Sequence, residues 1–483
     1  MNKNYKLSKV RYVALIIAFF VLVIFLVLKR TFSVNIPDDK FDDLNFYNCV
    51  KEKVGSSGYD SNGVISESSL STLSFLDCDE KEIVSVKGLE YMTNLSWLNL
   101  KKNKIVNIDV SHNSKLKYFD LNYNELTGLD ISHNSELISL HLDYNKLTEL
   151  DVSHNPKLTD LILGYNKLTE LDVSHNPELT DLILGFNELT ELNVSNNTKL
   201  VYLYVSDNKL ASMDVSHNPE LTKLLLESNE LTELNVSNNT KLVELYVSAN
   251  KLASMDVSHN PELKYLGLRD NELTSVDLTD NPKLEQLVLS NNKLTSIDVS
   301  HNLKLTHLFV NNFVDGEKEN LKIINHNSNT LTELDVSNNP ELEMLNVARN
   351  QLSSIDLSHN TKLEGIDVSY NRLASNFCST INVPTCINKN DNNNSTPEPS
   401  TPPSTSPSTA PSGSTNSNAP SGGDNTVVNP STSSGYNANP GSNSGDNVTV
   451  NPKTGSVFII VIVVGLLLLC YGLWYLKKLI NNN

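Results

Sequence analysis

The segment LTDLILGYNKLTELDVSHN at residues 158–176 determines the fold, because close copies of it follow one another along the middle of the chain. Its first half has leucine at positions one, four and six and asparagine at position nine. Asparagines at that position recur every 21 residues from Asn103 to Asn292, and a second series follows ten residues later, from Asn113 to Asn302. A fixed period of this length predicts a solenoid in which each repeat forms one coil.

Each coil is predicted to be built mainly from extended structure. The leucines point inward, and the Leu-x-Leu stretch predicts one short strand in a parallel sheet whose strands stack ~4.8 Å apart. We expect the asparagine to turn the chain and to satisfy backbone groups of the next coil. The remaining ten or so residues are too few for a normal helix and its turns, so little α-helix is predicted. Fourteen copies of the first half-repeat are counted between residues 95 and 371.

The repeated pattern LxxLxLxxN resembles the leucine-rich-repeat surface proteins of bacteria, internalin-like in broad layout, over residues 73–376. The resemblance implies a curved right-handed coil with the parallel β-sheet on its concave face. Residues 73–387 are assigned to this domain and its C-terminal cap. Residues 31–72, which contain a roughly helical apolar stripe, are assigned to an N-terminal cap that covers the first coil.

Cysteine usage excludes a disulfide scaffold, because only five cysteines occur in 483 residues. An exported protein still permits single disulfides. Two pairings are candidates, Cys378 with Cys386 in the C-terminal cap and Cys49 with Cys78 in the N-terminal cap.

One step of the repeat is irregular. A motif at residues 321–329 follows the motif at 305–313 after 16 residues instead of 21. We interpret it as a coil that has lost its second half, with His326 at a core position and Phe313 where asparagine is usual. The segment 314–320 is either a projecting binding loop or a tolerated defect, and the second interpretation is favoured.

Two apolar runs near the ends of the chain predict membrane segments. Residues 12–28 follow a basic segment, which is the layout of a secretory signal, so residues 1–30 are assigned to a signal peptide or an uncleaved anchor helix. Residues 457–476 are long enough to cross a hydrocarbon core of ~30 Å. Lys477 and Lys478 follow this run, so the positive-inside rule places the repeats outside the cell.

The segment before the second apolar run resembles a bacterial cell-wall sorting signal of the LPxTG type. It reads Asn451-Pro452-Lys453-Thr454-Gly455, and residues 451–483 repeat the order of such signals: pentapeptide, apolar helix, basic tail. The resemblance implies a sortase-type transpeptidase that cuts between Thr454 and Gly455 and attaches the protein to the wall. Asn451 departs from the usual leucine, so a plain membrane anchor remains the alternative.

Residues 388–450 differ from the repeats in composition. They are rich in serine, threonine, proline, asparagine and glycine and have almost no large apolar residues. Such a segment buries too little surface to offset its ordering entropy, which predicts a disordered stalk.

Charge and motif content exclude several functions. The chain has 38 basic and 56 acidic residues, a net charge of −18, which argues against a nucleic-acid partner. No cofactor or metal site is expected. Asp, Ser and His stand together in the phrase at residues 151–154, but the phrase recurs coil after coil, whereas a catalytic triad needs one defined place. We therefore predict that the protein is not an enzyme.

The candidate binding residues are the aromatic and aliphatic side chains that vary from coil to coil on the predicted concave face. Exposed aromatic clusters commonly bind partners. The candidates are Trp97, Tyr118, Tyr123, Tyr144, Ile162, Tyr165, Ile183, Phe186, Tyr202, Tyr204, Leu225, Tyr246, Tyr265 and Phe309.

Two functions of different classes fit these residues. The first is adhesion or recognition, in which the concave face binds a protein on a cell surface. The second is carbohydrate or cell-wall-polymer binding with a role in envelope architecture, in which the column from Tyr123 to Phe186 stacks on sugar rings. Both functions place the protein at the cell surface, anchored in the membrane. If the segment at residues 451–455 is a sorting signal, the protein is also attached covalently to the cell wall.

Overall fold

A computed structural model describes residues 38–61, 63–313 and 328–389. Its centre is one parallel sheet of fifteen three-residue strands that lie side by side in chain order. The strands are β1 Phe75–Asp77, β2 Trp97–Asn99, β3 Tyr118–Asp120, β4 Ser139–His141, β5 Asp160–Ile162, β6 Asp181–Ile183, β7 Tyr202–Tyr204, β8 Lys223–Leu225, β9 Glu244–Tyr246, β10 Tyr265–Gly267, β11 Gln286–Val288, β12 His307–Phe309, β13 Met344–Asn346, β14 Gly365–Asp367 and β15 Thr385–Ile387.

The period of 21 residues sets the register of this sheet. Leu161 of β5 pairs with Leu182 of β6, which in turn pairs with Leu203 of β7, so identical positions of successive coils lie side by side. These middle strand residues are fully buried, as are the leucines at positions one and six. Stacked coils thus bury a continuous leucine core that a single coil could not form. The prediction of a parallel-sheet solenoid with little helix is confirmed.

Helix is concentrated before the first coil. Helix α1, Leu44–Val54, begins at Asp43, whose side chain accepts hydrogen bonds from the first turn, and ends at Gly55. A 3₁₀ turn at Ser56–Gly58 and helix α2, Glu67–Thr72, follow. The side chains of Phe46 and Val50 on α1 are fully buried. A disulfide between Cys49 and Cys78 joins α1 to the end of β1.

The asparagines of the first series form hydrogen bonds between neighbouring coils. The Asn166 side-chain amide donates to the carbonyls of Leu163 in its own coil and Leu142 in the coil before, at 3.1 and 2.9 Å. Its Oδ1 accepts the Leu147 N–H at 3.0 Å. The hydrogen bonds that Asn166 makes with another coil are thus made with the preceding coil. The sequence analysis expected the next coil, so the direction of that prediction was wrong.

The turn itself is made by the residue before each of these asparagines. From Lys102 to Asn291 that residue has φ between 52° and 58° in every coil, the left-handed region that side chains other than glycine rarely adopt. This placement differs from the sequence prediction, which gave the turn to the asparagine. The asparagine is instead needed for hydrogen bonding inside the solenoid.

The second series of asparagines is buried on the other half of the coil. The Asn176 side-chain amide donates to the carbonyls of Val152 and Asn155, both at 2.9 Å. Its Oδ1 accepts no hydrogen bond from the residues that the structure describes, and the same is true of its counterparts from Asn113 to Asn360. The two asparagine series therefore contribute different numbers of hydrogen bonds to each coil.

The irregular step is an insertion within one coil, and the sequence interpretation of an additional shortened coil was wrong. Strand β12 pairs directly with β13, His307 with Met344, a step of 37 residues, or 16 more than 21. Asn329 occupies the asparagine position of the β12 coil, where its side-chain amide donates to Val310. Residues 321–329 match the repeat pattern in the sequence, but β12 and β13 are direct neighbours in the sheet.

A short 3₁₀ turn and one last strand follow the repeats. Another 3₁₀ turn, Leu89–Tyr91, lies in the first coil. At the C-terminal end, Phe377–Ser379 forms the turn, and a disulfide joins Cys378 to Cys386 in β15. This bond ties the last strand to the segment before it.

Several predicted segments lie outside the described residues. They are the signal or anchor segment 1–30, nearly all of the stalk 388–450, the sorting-like segment 451–483, His326 and the loop 314–320. Within the described part of the chain, neither α-helix has the length and hydropathy needed to cross a membrane.

Candidate functional site

The outward side of the sheet, called here the sheet face, carries the candidate binding residues. In β1 to β14 the middle side chain is buried, and in most strands the first and third are partly exposed. Since strand side chains alternate, first positions form one column across the sheet and third positions form another. A further column consists of the left-handed residues that follow most of the strands. Trp97, Tyr118, Tyr202 and Tyr265 lie in the first column, Ile162, Ile183, Tyr204, Leu225, Tyr246 and Phe309 in the second, and Tyr123, Tyr144, Tyr165 and Phe186 in the third.

Four rings of the left-handed column form a continuous stack, called here the aromatic ladder: Tyr123, Tyr144, Tyr165 and Phe186. Consecutive ring centroids lie 4.2, 4.0 and 4.1 Å apart, and the planes are tilted by only 10° to 11°. Between 37% and 43% of each residue is exposed. The spacing is smaller than that of the strands because the rings approach van der Waals contact. The ladder therefore presents ring edges to solvent, while the faces of its two inner rings are covered by their neighbours.

The backbone under the ladder is unusual for aromatic residues. The four residues have φ between 53° and 58°. A left-handed conformation costs an L-residue roughly 1–2 kcal/mol, and asparagine and aspartate tolerate it better than bulky residues. Later coils have Asp207, Ser228 and Ala249 at the same position. The aromatic side chains are thus placed where backbone preference alone would not select them.

The third-position column from Ile162 to Tyr246, called here the apolar stripe, is less exposed than the sequence predicted. Its five members occupy consecutive strands, β5 to β9, in direct register. Each is half-buried rather than exposed. The reason is lateral packing, since neighbouring strands lie only ~4.8 Å apart and adjacent side chains cover one another's flanks.

The remaining candidates are distributed along the sheet face. Trp97 stacks on Phe75 with ring centroids 4.2 Å apart, and Tyr118, 45% exposed, follows on the next strand. The Lys223 ammonium lies 5.3 Å from the centroid of Tyr202. Phe309 is separated from Tyr246 by two strands. The candidates thus form a group at β1–β3, the central ladder and stripe, and isolated residues beyond β9.

Beside the ladder lies a polar cluster that the sequence analysis missed. The Ser139 hydroxyl lies 3.0 Å from His141 Nε2, and His141 Nδ1 lies 3.8 Å from the carboxylate of Asp120. The order of groups resembles a catalytic triad, but 3.8 Å exceeds a hydrogen bond, so no direct proton relay connects imidazole and carboxylate. The signal in the sequence was His141 itself, which stands outside the repeated Ser-His-Asn phrase.

Asp143 adds a perturbed carboxyl group to this cluster. Burial raises its pKa to about 6, although the Gly164 N–H that donates to it and nearby His141 act in the opposite direction. Asp143 immediately precedes Tyr144 of the ladder. A desolvated carboxylate at this position favours a partner group that can donate hydrogen bonds or carry positive charge.

Two further carboxylates flank the apolar stripe. Asp160 and Asp181 stand directly opposite each other on β5 and β6, and the hydroxyls of Thr159 and Thr180 donate to them at 2.6 and 2.7 Å. Burial raises the pKa of the Asp181 carboxyl, and the neighbouring Asp160 charge adds to the effect. The central sheet face is therefore apolar and acidic.

The repeated Asp, Ser and His residues have a structural role. The Asp151 carboxylate accepts the Ser153 backbone N–H at 2.8 Å, and the Ser153 hydroxyl contacts His154 Nδ1 at 3.0 Å. The same turn recurs in other coils, for example at Asp172 and Ser174. Among the described residues, no group of three or more potential metal ligands converges.

Comparison with known proteins identifies the family. A family model described as Leucine Rich repeat matches residues 112–132, 145–165 and 166–185. The functional domain of InlJ from Listeria monocytogenes is 35% identical, with a TM-score of 0.60 over 69% of this chain and 75% of that one. The chain belongs to the internalin-like leucine-rich-repeat family. No curated protein sequence matches it.

Two other solved structures share the fold of this internalin-like protein. An internalin from Listeria monocytogenes, inlF, is 21% identical with a TM-score of 0.56 and covers 72% of this chain and 95% of its own. A leucine-rich-repeat protein of Leptospira interrogans is 22% identical with a TM-score of 0.51 and covers 65% and 94%. InlJ is described as including a cysteine ladder. This internalin-like chain instead repeats asparagine, and its five cysteines do not follow the 21-residue period.

Proposed function

We propose that this internalin-like protein is displayed on the cell surface and binds a protein partner through its sheet face, in adhesion or recognition. The observation that carries the proposal is the aromatic ladder. Its residues occupy disfavoured left-handed backbone positions and expose their ring edges to solvent. Stability alone does not account for such a choice, because other coils use small or polar residues there. Rigid aromatic side chains are typical of the residues that dominate protein interfaces.

Contacts within the ladder favour a protein over a sugar polymer. A sugar ring stacks on the face of an aromatic ring, but both faces of Tyr144 and Tyr165 are covered by neighbouring rings. The exposed edges and hydroxyls suit the irregular surface of a protein better. Carbohydrate or wall-polymer binding is therefore the second candidate.

Surface display is supported by the sequence at both ends. The apolar runs at 12–28 and 457–476, the segment Asn451–Gly455 and the intervening Ser/Thr/Pro-rich segment fit an exported, membrane-anchored protein. A sortase-type transpeptidase would cut the chain after Thr454 and attach it to the cell wall. Membrane anchoring and wall attachment are parts of the proposal.

The test compares the full-length protein with a variant that lacks three rings of the ladder, Tyr144→Ser, Tyr165→Ser and Phe186→Ser. Each immobilised protein is incubated with solubilised surface proteins and, separately, with isolated cell walls, and captured material is identified. Tyr370→Ser is the matched control, since Tyr370 has the same left-handed backbone position in a distant coil.

We expect a defined protein to be retained by the wild type and the control and lost from the triple variant. Retention of wall polymer with no protein would favour the second candidate. Equal capture by the triple variant and the wild type would contradict binding through the ladder.

A further inference from the structure

A slot on the sheet face lies between two tyrosines of the apolar stripe. Tyr204, Leu225 and Tyr246 are third residues of three consecutive strands, with Leu225 paired to both neighbours. Two strand spacings separate the backbones of the tyrosines, about 10 Å. Leu225 forms the floor between them, and it is half-buried.

The two rings lean away from each other. A Cβ built on Gly185, in the coil before Tyr204, would lie 2.7 Å from the Tyr204 ring. A Cβ on Gly267, in the coil after Tyr246, would lie 2.7 Å from the Tyr246 ring. Each ring thus lies over a glycine on the outer side, and the space above Leu225 stays open. Any larger residue at either glycine would push its ring toward the slot.

One end of the slot carries a carboxylate without a local counter-charge. Among the described residues, Glu227 has no cation within ion-pair distance and no hydrogen bond to its carboxyl group. Burial raises its pKa, the Asp207 charge raises it further, and the Arg269 charge lowers it. Besides burial, the Glu227 charge contributes to the raised pKa of both phenols, Tyr204 and Tyr246.

The opposite end of the slot is already neutralised. Lys223 and Glu244, in the first column beside Leu225 and Tyr246, form an ion pair at 2.9 Å. A ligand entering above Leu225 therefore meets apolar walls, a neutral end and one negative end. That combination matches a long aliphatic stem with a terminal positive charge.

We propose that the slot between Tyr204 and Tyr246 binds a lysine or arginine side chain of the protein partner, with its stem on Leu225 and its cation at Glu227. This inference rests on the proposed function and specifies the partner's chemistry. Tyrosine rings favour cations near their faces, and a carboxylate that is partly removed from water gains most from a charged partner. Gly185 and Gly267 are positioning residues, because they act only through the rings.

The test uses random dodecapeptides displayed on phage and selected on immobilised full-length protein. Selected peptides are synthesised with lysine replaced by norleucine, or arginine by citrulline, and their affinities are measured. The protein variants are Glu227→Gln, which removes the charge, and Gly267→Ala, which pushes the Tyr246 ring inward. Glu272→Gln is the control, since Glu272 forms an exposed ion pair with Lys293 outside the slot.

We expect the selected peptides to share a basic residue beside apolar ones. Neutralising that residue or Glu227 should weaken binding about tenfold or more, and Gly267→Ala should weaken it to a similar extent while the melting temperature is retained. Glu272→Gln should have no effect.

The slot proposal would be overturned if the selected peptides lack a basic residue or bind Glu227→Gln as tightly as the wild type. It would also be overturned if no peptide is selected. If binding is lost with the triple ladder variant but kept with Glu227→Gln, the proposed function stands and only the slot fails. If neither variant affects peptide binding, both proposals fail.

Discussion

Replacing asparagine by alanine should lower the free energy of unfolding by different amounts in the two asparagine series. Asn292 and Asn302 lie in neighbouring half-coils, and both are fully buried, so alanine leaves a similar cavity at each. Asn292→Ala removes donors to the carbonyls of Leu268 and Leu289, and it removes the acceptor of the Leu273 N–H.

The hydrogen bonds that remain decide the magnitudes. The Leu268 and Leu289 carbonyls keep contacts with Asn271 and Asn329, but the Leu273 N–H is left unpaired in the core. An unpaired buried amide costs ~1–3 kcal/mol, and each lost hydrogen bond costs about 1 kcal/mol. Asn292→Ala should therefore destabilise the protein by about 3–5 kcal/mol.

Asn302→Ala should cost less. Asn302 donates to Leu278 and Asn281, whose carbonyls both keep a backbone partner, and its Oδ1 accepts no hydrogen bond from the described residues. No N–H loses its acceptor, so the expected cost is about 2 kcal/mol.

Urea unfolding of the two full-length variants, followed by far-ultraviolet circular dichroism, measures the difference. The comparison requires that the dependence of unfolding free energy on urea concentration is the same in both variants. A changed slope would indicate that some coils of the solenoid unfold separately. A cost for Asn302→Ala equal to or larger than that for Asn292→Ala would refute the reasoning, because the orphaned amide would then not dominate.

Two further predictions concern a carboxyl group and a disulfide. The pKa of Asp143 is raised to about 6 in the folded protein, so ionisation of its carboxyl group destabilises the fold as pH rises from about 4 to 6. Asp143→Asn should therefore stabilise the protein by about 2–3 kcal/mol at pH 7.5 and by almost nothing at pH 4. Urea unfolding curves that show the same gain at both pH values would contradict this prediction. Loss of the Cys49–Cys78 disulfide removes the constraint on a loop of 29 residues in the unfolded chain. The double variant Cys49→Ser, Cys78→Ser should therefore lose about 3–4 kcal/mol of stability, measured by thermal unfolding. An unchanged melting temperature would show that the disulfide does not stabilise the N-terminal cap.

Much of the fold could be read from the repeated segment. Leucines at fixed positions in a 21-residue period have few ways to be buried other than stacking, so the parallel sheet and its register follow from spacing. The insertion before Asn329 could not be recognised this way, because residues 321–329 imitate the pattern. The pairing of His307 with Met344 and the hydrogen bond from Asn329 to Val310 show which asparagine belongs to the β12 coil.

The candidate site was predictable in position but not in geometry. Variation between coils pointed to the aromatic and aliphatic columns, since side chains that need not fill the core are free to differ. The stacking of the aromatic ladder depends on the left-handed backbone beneath it, and that conformation is imposed by the turn of each coil rather than by aromatic preferences.

The sequence by itself determined the solenoid, the strand positions and the side chains that face outward, because these depend on periodicity and on burial of leucine. Tertiary structure alone decided which outward side chains touch. Ser139, His141 and Asp120 meet across two strands, and Gly185 and Gly267 permit two rings to lean apart. Such contacts join residues of different coils, and their geometry depends on rotamers and local clearances that a linear period does not encode.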